Sequence, residues 1–266
     1  MKTSERMNHI SQPSTRTAIG MCLCVLTIAL AGSPALAATC SNASLNGVFG
    51  YSHGRPGGAS TVNMVTGQLT LDGQGNITSA LWTWETSDGT VSSGTTTGTY
   101  SVSTNCTGTL TLNDEDNSPN PSHFNIYLNA GNTMFQIIQS DQNWNQPGFG
   151  LAQGTVTCGL SGKKLALTTN LVGLVSGAPA DSVGRVTLEG NGGISGTETF
   201  AINVVTKLAV AGTYTENANC TGTWQITPTG GTASNFNAVV VNSGKELLLL
   251  QTDANTFAAG TAQEAP

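Results

Sequence analysis

The sequence is poor in charged and aromatic residues and has no segment that is typical of a helix. Charged residues make up 9% and aromatic residues 6% of the 266 residues. Surface polarity must therefore come from Ser, Thr, Asn, Gln and Gly, most of which have low helix propensity. Because no window shows a sustained helical period with caps, the composition predicts a chain built from β-strands.

Basic residues are also scarce. The chain carries 9 Lys and Arg against 15 Asp and Glu, which gives a net charge of −6. Nucleic acids and anionic membranes attract proteins with a positive surface. This charge balance therefore argues against nucleic acid and against anionic membranes as partners.

The N-terminal segment has the three parts of a signal peptide. Three basic residues precede an apolar stretch over residues 18–32, and the Ala-Leu-Ala of residues 35–37 fits a signal-peptidase site. The apolar stretch is short for a membrane span, which needs about 20 residues. We therefore predict a signal peptide over residues 1–37, a secreted or periplasmic protein, and no membrane span in the mature chain.

Recognisable catalytic motifs are missing. The mature chain has two histidines, His53 and His123, and either could pair with an acid such as Asp72, Glu85 or Asp141. No nucleophile elbow, zinc motif or phosphate-binding loop connects these residues. The sequence predicts no catalytic residue, no metal and no cofactor.

One acidic cluster, residues 114–118, has the sequence Asp-Glu-Asp-Asn-Ser. Its spacing is faintly similar to a calcium-binding loop, but Pro119 stands where such a loop needs glycine, and Asn125 where it needs glutamate. We therefore predict a solvated loop.

A short stretch occurs twice. Residues 98–110 and 212–224 share Gly-Thr-Tyr and Asn-Cys-Thr-Gly-Thr at the same internal spacing. Such self-similarity indicates a tandem duplication. We divide the mature chain into unit 1, residues 38–154, and unit 2, residues 155–266.

Four cysteines follow the predicted signal peptide, and they allow three pairings. Each unit has one cysteine at its start and one in the repeated stretch. This arrangement predicts the disulfides Cys40–Cys106 and Cys158–Cys220. The close CxxC spacing of zinc or redox sites is missing.

Each unit contains about eight short strands joined mostly by tight turns, such as the Asp-Gly-Gln-Gly-Asn of residues 72–76. In unit 2, the alternation of residues 200–204 predicts one continuous strand. Eight strands suffice to close a small barrel. We predict an all-β protein with two tandem antiparallel units, each an eight-stranded up-and-down, lipocalin-like barrel. A β-sandwich in each unit, or one barrel shared by both, would also fit the strand count.

Three features together resemble a set of secreted bacterial tandem-repeat β proteins of unknown function. These are the opening CSNASLNGVFG of residues 40–50, the Asp-Gly-x-Gly-Asn turn, and the Gly-Thr-Tyr…Cys-Thr-Gly-Thr motif. The resemblance covers nearly all of the mature chain and is most specific in unit 1. It implies export and a β-rich unit, and it supplies no catalytic residue. Unit 2 departs from it at residues 163–165.

Large aromatic residues are concentrated in unit 1. Trp82 and Trp84 are two positions apart, so they point to one face of a strand. They could line a ligand pocket, or they could be ordinary core residues. A rough alignment places residues 198–201 of unit 2, Glu-Thr-Phe-Ala, at this strand, so we look for a site in unit 1. The candidate ligand-binding residues are Tyr51, Trp82, Trp84, His123, Tyr127 and Trp144.

The favoured function is that of an exported, non-catalytic binding or surface-associated protein, with a hydrophobic small molecule or a glycan bound in unit 1. A barrel enzyme of the cyclase or isomerase type is one alternative, because such enzymes can work with a shaped pocket and few ionisable groups. A purely structural or adhesive module is the other.

Overall fold

The structure is a computed structural model. It describes residues 39–54, 63–86, 89–113, 115, 120–141, 146–154, 158–160, 162–175, 178–254 and 256–266. The predicted signal peptide, residues 1–37, lies outside the described residues.

Unit 1 forms a closed barrel in which each strand pairs with its neighbours in the sequence. The strands are antiparallel, and β1 also pairs with β8, so the sheet has no free edge. The strands of barrel 1 are β1 (Asn46–Gly54), β2 (Asn63–Asp72), β3 (Asn76–Thr86), β4 (Val91–Val102), β5 (Thr107–Leu112), β6 (Ser122–Leu128), β7 (Met134–Gln139) and β8 (Pro147–Ala152).

Unit 2 repeats this architecture and closes through the pairing of β9 with β16. The two barrels confirm the predicted fold and exclude both the sandwich and the single shared barrel. The strands of barrel 2 are β9 (Leu165–Val175), β10 (Ala178–Leu188), β11 (Gly193–Ile202), β12 (Val204–Glu216), β13 (Thr221–Pro228), β14 (Ser234–Val241), β15 (Glu246–Gln251) and β16 (Thr256–Glu264).

One strand prediction in unit 2 was wrong. The alternating residues 200–204 do not form a single strand, because the chain turns at Asn203 between β11 and β12. Asn203 has φ of 60°, in the left-handed region that Asn tolerates better than most residues. The turn carries no glycine or proline, so the alternation concealed it.

The repeated stretch builds the same end of both barrels. Its cysteine lies in the turn between the fourth and fifth strands, and it is bonded to the cysteine at the start of the unit, as Cys40–Cys106 and Cys158–Cys220. Its tyrosine hydroxyl, in Tyr100 or Tyr214, donates to a backbone carbonyl just before the first strand. The motif therefore fastens the N-terminal segment of each unit across one end of its barrel. Both predicted disulfides are confirmed.

The two barrels pack side by side through the outer faces of β1, β2 and β8 in barrel 1 and β14, β15 and β16 in barrel 2. The shared apolar contacts are Met64 with Leu250, Phe257 and Ala259, and Phe149 and Leu151 with Val239, Val241 and Leu248. Asn237 Nδ2 also donates to Thr83 Oγ1 at 2.8 Å across this interface. One face of β2 and of β15 points into its own barrel, and the opposite face packs against the neighbouring barrel. Both strands are therefore buried along nearly their whole length.

Gly50 permits the close approach of the barrels. A Cβ atom at this position would lie 2.4 Å from Cγ1 of Val241 and 3.0 Å from Cγ1 of Val239. No ordinary side chain fits at such distances. Gly50 is thus an interface residue, although the sequence pattern alone does not distinguish it from a glycine in a turn.

Candidate functional site

Barrel 1 is filled by its own aromatic side chains. The Trp82 ring lies against Gly94, where an added Cβ would be 2.5 Å from ring atom Cζ2. The Tyr51 ring occupies the space over Gly67 in the same way, at 2.6 Å from an added Cβ. Both aromatic residues are buried in the barrel core, and Trp84 packs against it. Two glycines therefore make room for two large rings.

The strand registers identify the equivalent positions in barrel 2. Gly67 pairs with Tyr51 on one side and with Trp82 on the other. At the corresponding place, Gly184 pairs with Thr169 and Glu198. Barrel 2 therefore has a threonine and a glutamate where barrel 1 has a tyrosine and a tryptophan.

The residue that faces this pair from the next strand differs as well. Gly94 of β4 pairs with Trp82, whereas Leu208 of β12 pairs with Glu198. Barrel 1 thus combines a very large and a very small side chain, and barrel 2 combines two of medium size. At these paired positions, the side chains fill the interior of barrel 1 and leave space in the interior of barrel 2.

That space is a cavity of about 410 Å³ at the end of barrel 2 where β11 turns into β12. Its volume lies at the lower end of the range for small-molecule sites, about 300–1,000 Å³. Most of the side chains that line it are apolar. The apolar lining includes Leu171, Ala180, Phe200, Ile202, Val204, Leu208, Ile226, Phe236 and Ala258, and the polar lining includes Ser182, Glu198, Ser234 and Gln251.

Glu198 is the ionisable residue that lies deepest in this lining. Its side chain is only 2% exposed, and Thr169 Oγ1 donates to its Oε1 at 2.9 Å. Gly184 provides the room, because a Cβ at that position would lie 2.4 Å from Cγ of Glu198. Burial raises the pKa of Glu198, although the hydrogen bond from Thr169 and the nearby Ser182 hydroxyl oppose the shift. When it carries its proton, this carboxyl can donate as well as accept a hydrogen bond.

Ser182 adds a second polar group beside this carboxyl. Its hydroxyl is buried and makes no well-formed hydrogen bond within the described part of the chain. A buried hydroxyl without a good partner is unfavourable by about 1–3 kcal/mol. The polar group of a ligand in the cavity could bond to both Ser182 and Glu198.

The six residues predicted to bind a ligand do not form one cluster. Tyr51, Trp82 and Trp84 face the interior of barrel 1. His123 and Tyr127 lie on the outer side of β6, where Tyr127 is 55% exposed. Trp144 lies outside the described residues. The structure therefore brings together only the three residues that fill the barrel.

His123 forms the pair with Asp141 that the sequence allowed. Its Nδ1 lies 2.7 Å from Asp141 Oδ1, and its backbone N–H donates to Oδ2 at 2.8 Å. Partial burial would raise the pKa of Asp141, but the hydrogen bonds from His123 and Gln139 outweigh it and lower this pKa. Because the pair is on the surface, we treat it as a local clamp between β6 and the end of β7.

His53 pairs with an acid that the sequence did not suggest. Its Nε2 lies 3.3 Å from Oε1 of Glu115, and its Nδ1 lies 3.0 Å from Oε1 of Gln146. The hydroxyl of Tyr51 donates to the same Glu115 oxygen at 2.7 Å. Burial and the neighbouring Glu115 carboxylate raise the pKa of Tyr51 well above its ordinary value.

The prediction of a solvated loop over residues 114–118 was therefore wrong for Glu115, which is only 2% exposed. It was missed because nothing in the local sequence shows that one acid of the cluster turns into the barrel. A buried histidine or tyrosine requires such a partner. Since these polar groups satisfy one another, we interpret the cluster as a support of barrel 1.

A further buried acid, Glu85, lies on the outer face of β3 toward barrel 2. Neither carboxyl oxygen has a hydrogen-bond partner among the described residues, and the side chain is fully buried. Burial raises its pKa to about 9, with a contribution from the negative charge of Asp253. Between the unfolded-state pKa near 4.5 and this value, the folded state keeps a proton that the unfolded state has lost. Stability therefore falls as the pH rises through this window.

Glu85→Gln is expected to remove this dependence. The variant should equal the natural protein below about pH 4.5 and exceed its free energy of unfolding by on the order of 2 kcal/mol at pH 8. Urea unfolding across this pH range measures the difference. Glu264→Gln, which alters an exposed carboxyl, is the control. Equal pH profiles for Glu85→Gln and the natural protein would show that Glu85 is ionised in the fold.

The described residues contain no helix with the length and hydropathy needed to cross a bilayer. They also contain no group of three or more His, Cys, Asp or Glu side chains arranged to hold a metal ion. No known family model matches this chain, and a search of curated proteins finds no significant relative.

Proposed function

We propose that this protein is an exported binding protein that holds a small, mostly apolar molecule in barrel 2. The ligand's polar group would bond to Glu198 and Ser182 at the base of the cavity. The observation that carries the proposal is the register-matched difference between the barrels, which places Thr169 and Glu198 where barrel 1 has Tyr51 and Trp82. Two barrels from one ancestral unit thus differ in whether their interior is filled.

Export is supported by two independent features. The N-terminal segment has the composition of a signal peptide. The two disulfides are typical of proteins from an oxidising compartment, such as the periplasm or the extracellular space. The predicted localisation therefore stays secreted or periplasmic.

The cavity lining favours an apolar ligand over a glycan. Sugar-binding sites usually present an aromatic ring as a stacking platform together with many hydrogen-bonding groups. Here apolar side chains outnumber the polar ones in the lining, and its aromatic rings are the two phenylalanines, Phe200 and Phe236. A ligand that is apolar over most of its surface and carries a few polar groups suits this lining. The proposed site therefore lies in unit 2, and not in unit 1, where the aromatic residues of the sequence had suggested a ligand site.

An enzyme of the isomerase type is the second candidate, because an acid with a raised pKa in a cavity is suited to proton transfer. Such a reaction usually needs a second group that accepts or returns the proton. The only other ionisable residue in the described lining is Asp181, which is exposed on the outward-facing side of β10. A single buried acid favours binding over catalysis.

The binding proposal can be tested with N-phenyl-1-naphthylamine, an uncharged fluorophore that brightens in apolar surroundings. The natural protein should bind it and gain about 2.7 kcal/mol of stability at a probe concentration about a hundredfold above Kd, or roughly 5 to 10 °C in Tm. Leu208→Trp, which fills the cavity, should weaken binding at least tenfold.

Ala209→Trp is the matched control, since this neighbouring residue of β12 points outward and is exposed. It should bind the probe as the natural protein does. Absence of probe binding by the natural protein, or equal affinity in both variants, would contradict the proposed site.

A further inference from the structure

The turn between β11 and β12 is unusually apolar for an exposed turn. Val204 is 70% exposed, Val205 is 72% exposed, and Ile202 is 37% exposed. Turns are usually formed by Gly, Pro, Asn, Asp and Ser, and here only Asn203 belongs to that group. Exposed apolar clusters of this kind commonly mark a binding surface.

This apolar tip is continuous with the cavity. The inward-facing residues of the same hairpin, Ile202, Val204 and Leu208, belong to the cavity lining. The outward-facing Val205 pairs with Ala201 and does not line the cavity. An apolar strip therefore runs from the outermost point of the hairpin into the space that ends at Glu198.

The tip is also nearly free of charge. Lys207 is the only charged residue between positions 199 and 209, in a chain whose net charge is −6. Val172 and Val183 are exposed on the outer faces of β9 and β10. Asp181, which pairs with both Val172 and Ala201, and Arg185, two residues after Val183, are the charged residues on that face of β10.

We propose that the β11–β12 tip enters the surface of a lipid bilayer, so that an uncharged amphiphile passes directly from the lipid into the cavity. This inference rests on the proposed function and specifies the ligand as one that partitions into lipid. An apolar hairpin with a cationic neighbour suits the headgroup boundary, where Lys207 can reach the phosphates while the valines lie deeper.

The position of the tip favours lipid over a protein partner. A protein bound over the valines would cover the cavity mouth and block the ligand. A lipid surface in the same place would supply the ligand, because molecules that fit an apolar cavity dissolve poorly in water. A bilayer is therefore the occupant that uses both the tip and the cavity.

The test measures how fast the probe moves from lipid to protein. Phosphatidylcholine vesicles loaded with N-phenyl-1-naphthylamine are mixed with the mature chain in a stopped-flow instrument. Transfer by collision gives a rate that rises with protein concentration, whereas transfer through water gives a rate set only by escape from the vesicle. For the natural protein we expect the first behaviour.

Val205→Asp places a charge on the tip outside the cavity. We expect it to lower the transfer rate at least tenfold while its affinity for dissolved probe stays within twofold of the natural value. Val91→Asp makes the same change at a partly exposed valine of barrel 1 and should transfer the probe normally. Val205→Leu, which keeps the tip apolar, should also transfer normally.

Two failures can be told apart. If dissolved probe binds but its transfer is independent of protein concentration, or Val205→Asp transfers it as fast as the natural protein, the lipid inference is overturned and the binding function stands. If the natural protein does not bind dissolved probe at all, the proposed function fails, and this inference fails with it.

Discussion

Replacement of Trp82 by alanine is expected to lower the free energy of unfolding by about 3 to 5 kcal/mol, the usual range for a large buried aromatic residue. Trp82 is 3% exposed and fills the centre of barrel 1 against Gly94. No neighbour can collapse into the space, since the facing residue is a glycine with its backbone held in the sheet. Urea unfolding measures the loss.

The same variant should gain a small binding site in barrel 1. Without the indole ring, barrel 1 has an apolar void of about the volume of that ring, which is smaller than the cavity of barrel 2, so Trp82→Ala should bind a small apolar molecule such as benzene there. Trp82→Phe is the control, because it keeps most of the ring volume and should bind none in barrel 1. A stability loss below 1 kcal/mol would show that Trp82 does not carry the packing of barrel 1.

Loss of either disulfide is expected to have a similarly large effect. The bridges close loops of 66 and 62 residues. Loops of this length correspond to about 4 kcal/mol of stabilisation if the bridge acts by restricting the unfolded chain. The double variants C40S/C106S and C158S/C220S should each lose about this amount in urea unfolding.

Each double variant serves as the control for the other, because one barrel keeps its bridge in each case. The C158S/C220S protein should in addition lose probe affinity near its unfolding midpoint, whereas C40S/C106S should retain it. If both variants unfolded at the same urea concentration as the natural protein, the bridges would have no role in stability.

Much of the fold could be predicted because strand patterns and turns are local properties of the sequence. Three runs that are bounded by turn residues in the sequence, Val91–Val102, Thr107–Leu112 and Met134–Gln139, are strands with these bounds. The alternation of residues 124–128 likewise distinguishes the buried Phe124 from the exposed Tyr127. The duplication then predicted both disulfides, because the two cysteines stand at equivalent positions in both units.

The location of the candidate site could not be predicted in the same way. The aromatic residues of unit 1 drew attention to that unit, but a large ring inside a small barrel occupies the space that a ligand would need. The informative signal was the replacement of Trp82 by Glu198 in the aligned strand. The meaning of this replacement depended on the residue across from each position, which is Gly94 for Trp82 and Leu208 for Glu198. Each of these pairs forms only between neighbouring strands.

Two other errors had different origins. The burial of Glu115 depends on His53 and Tyr51, which lie more than 60 residues earlier in the chain. The turn at Asn203 is local, but it was hidden because apolar residues continue on both sides of it.

The sequence by itself determined the strand succession, the duplication, the cysteine pairing and the alternation that separates interior from surface. These follow from backbone periodicity and from residues whose roles repeat in each unit. Only the tertiary structure decided which barrel is filled and which is open, and that β2 and β15 are buried by the neighbouring barrel. The physical reason is that interior volume depends on several side chains meeting across closed strands, and no single segment contains that information.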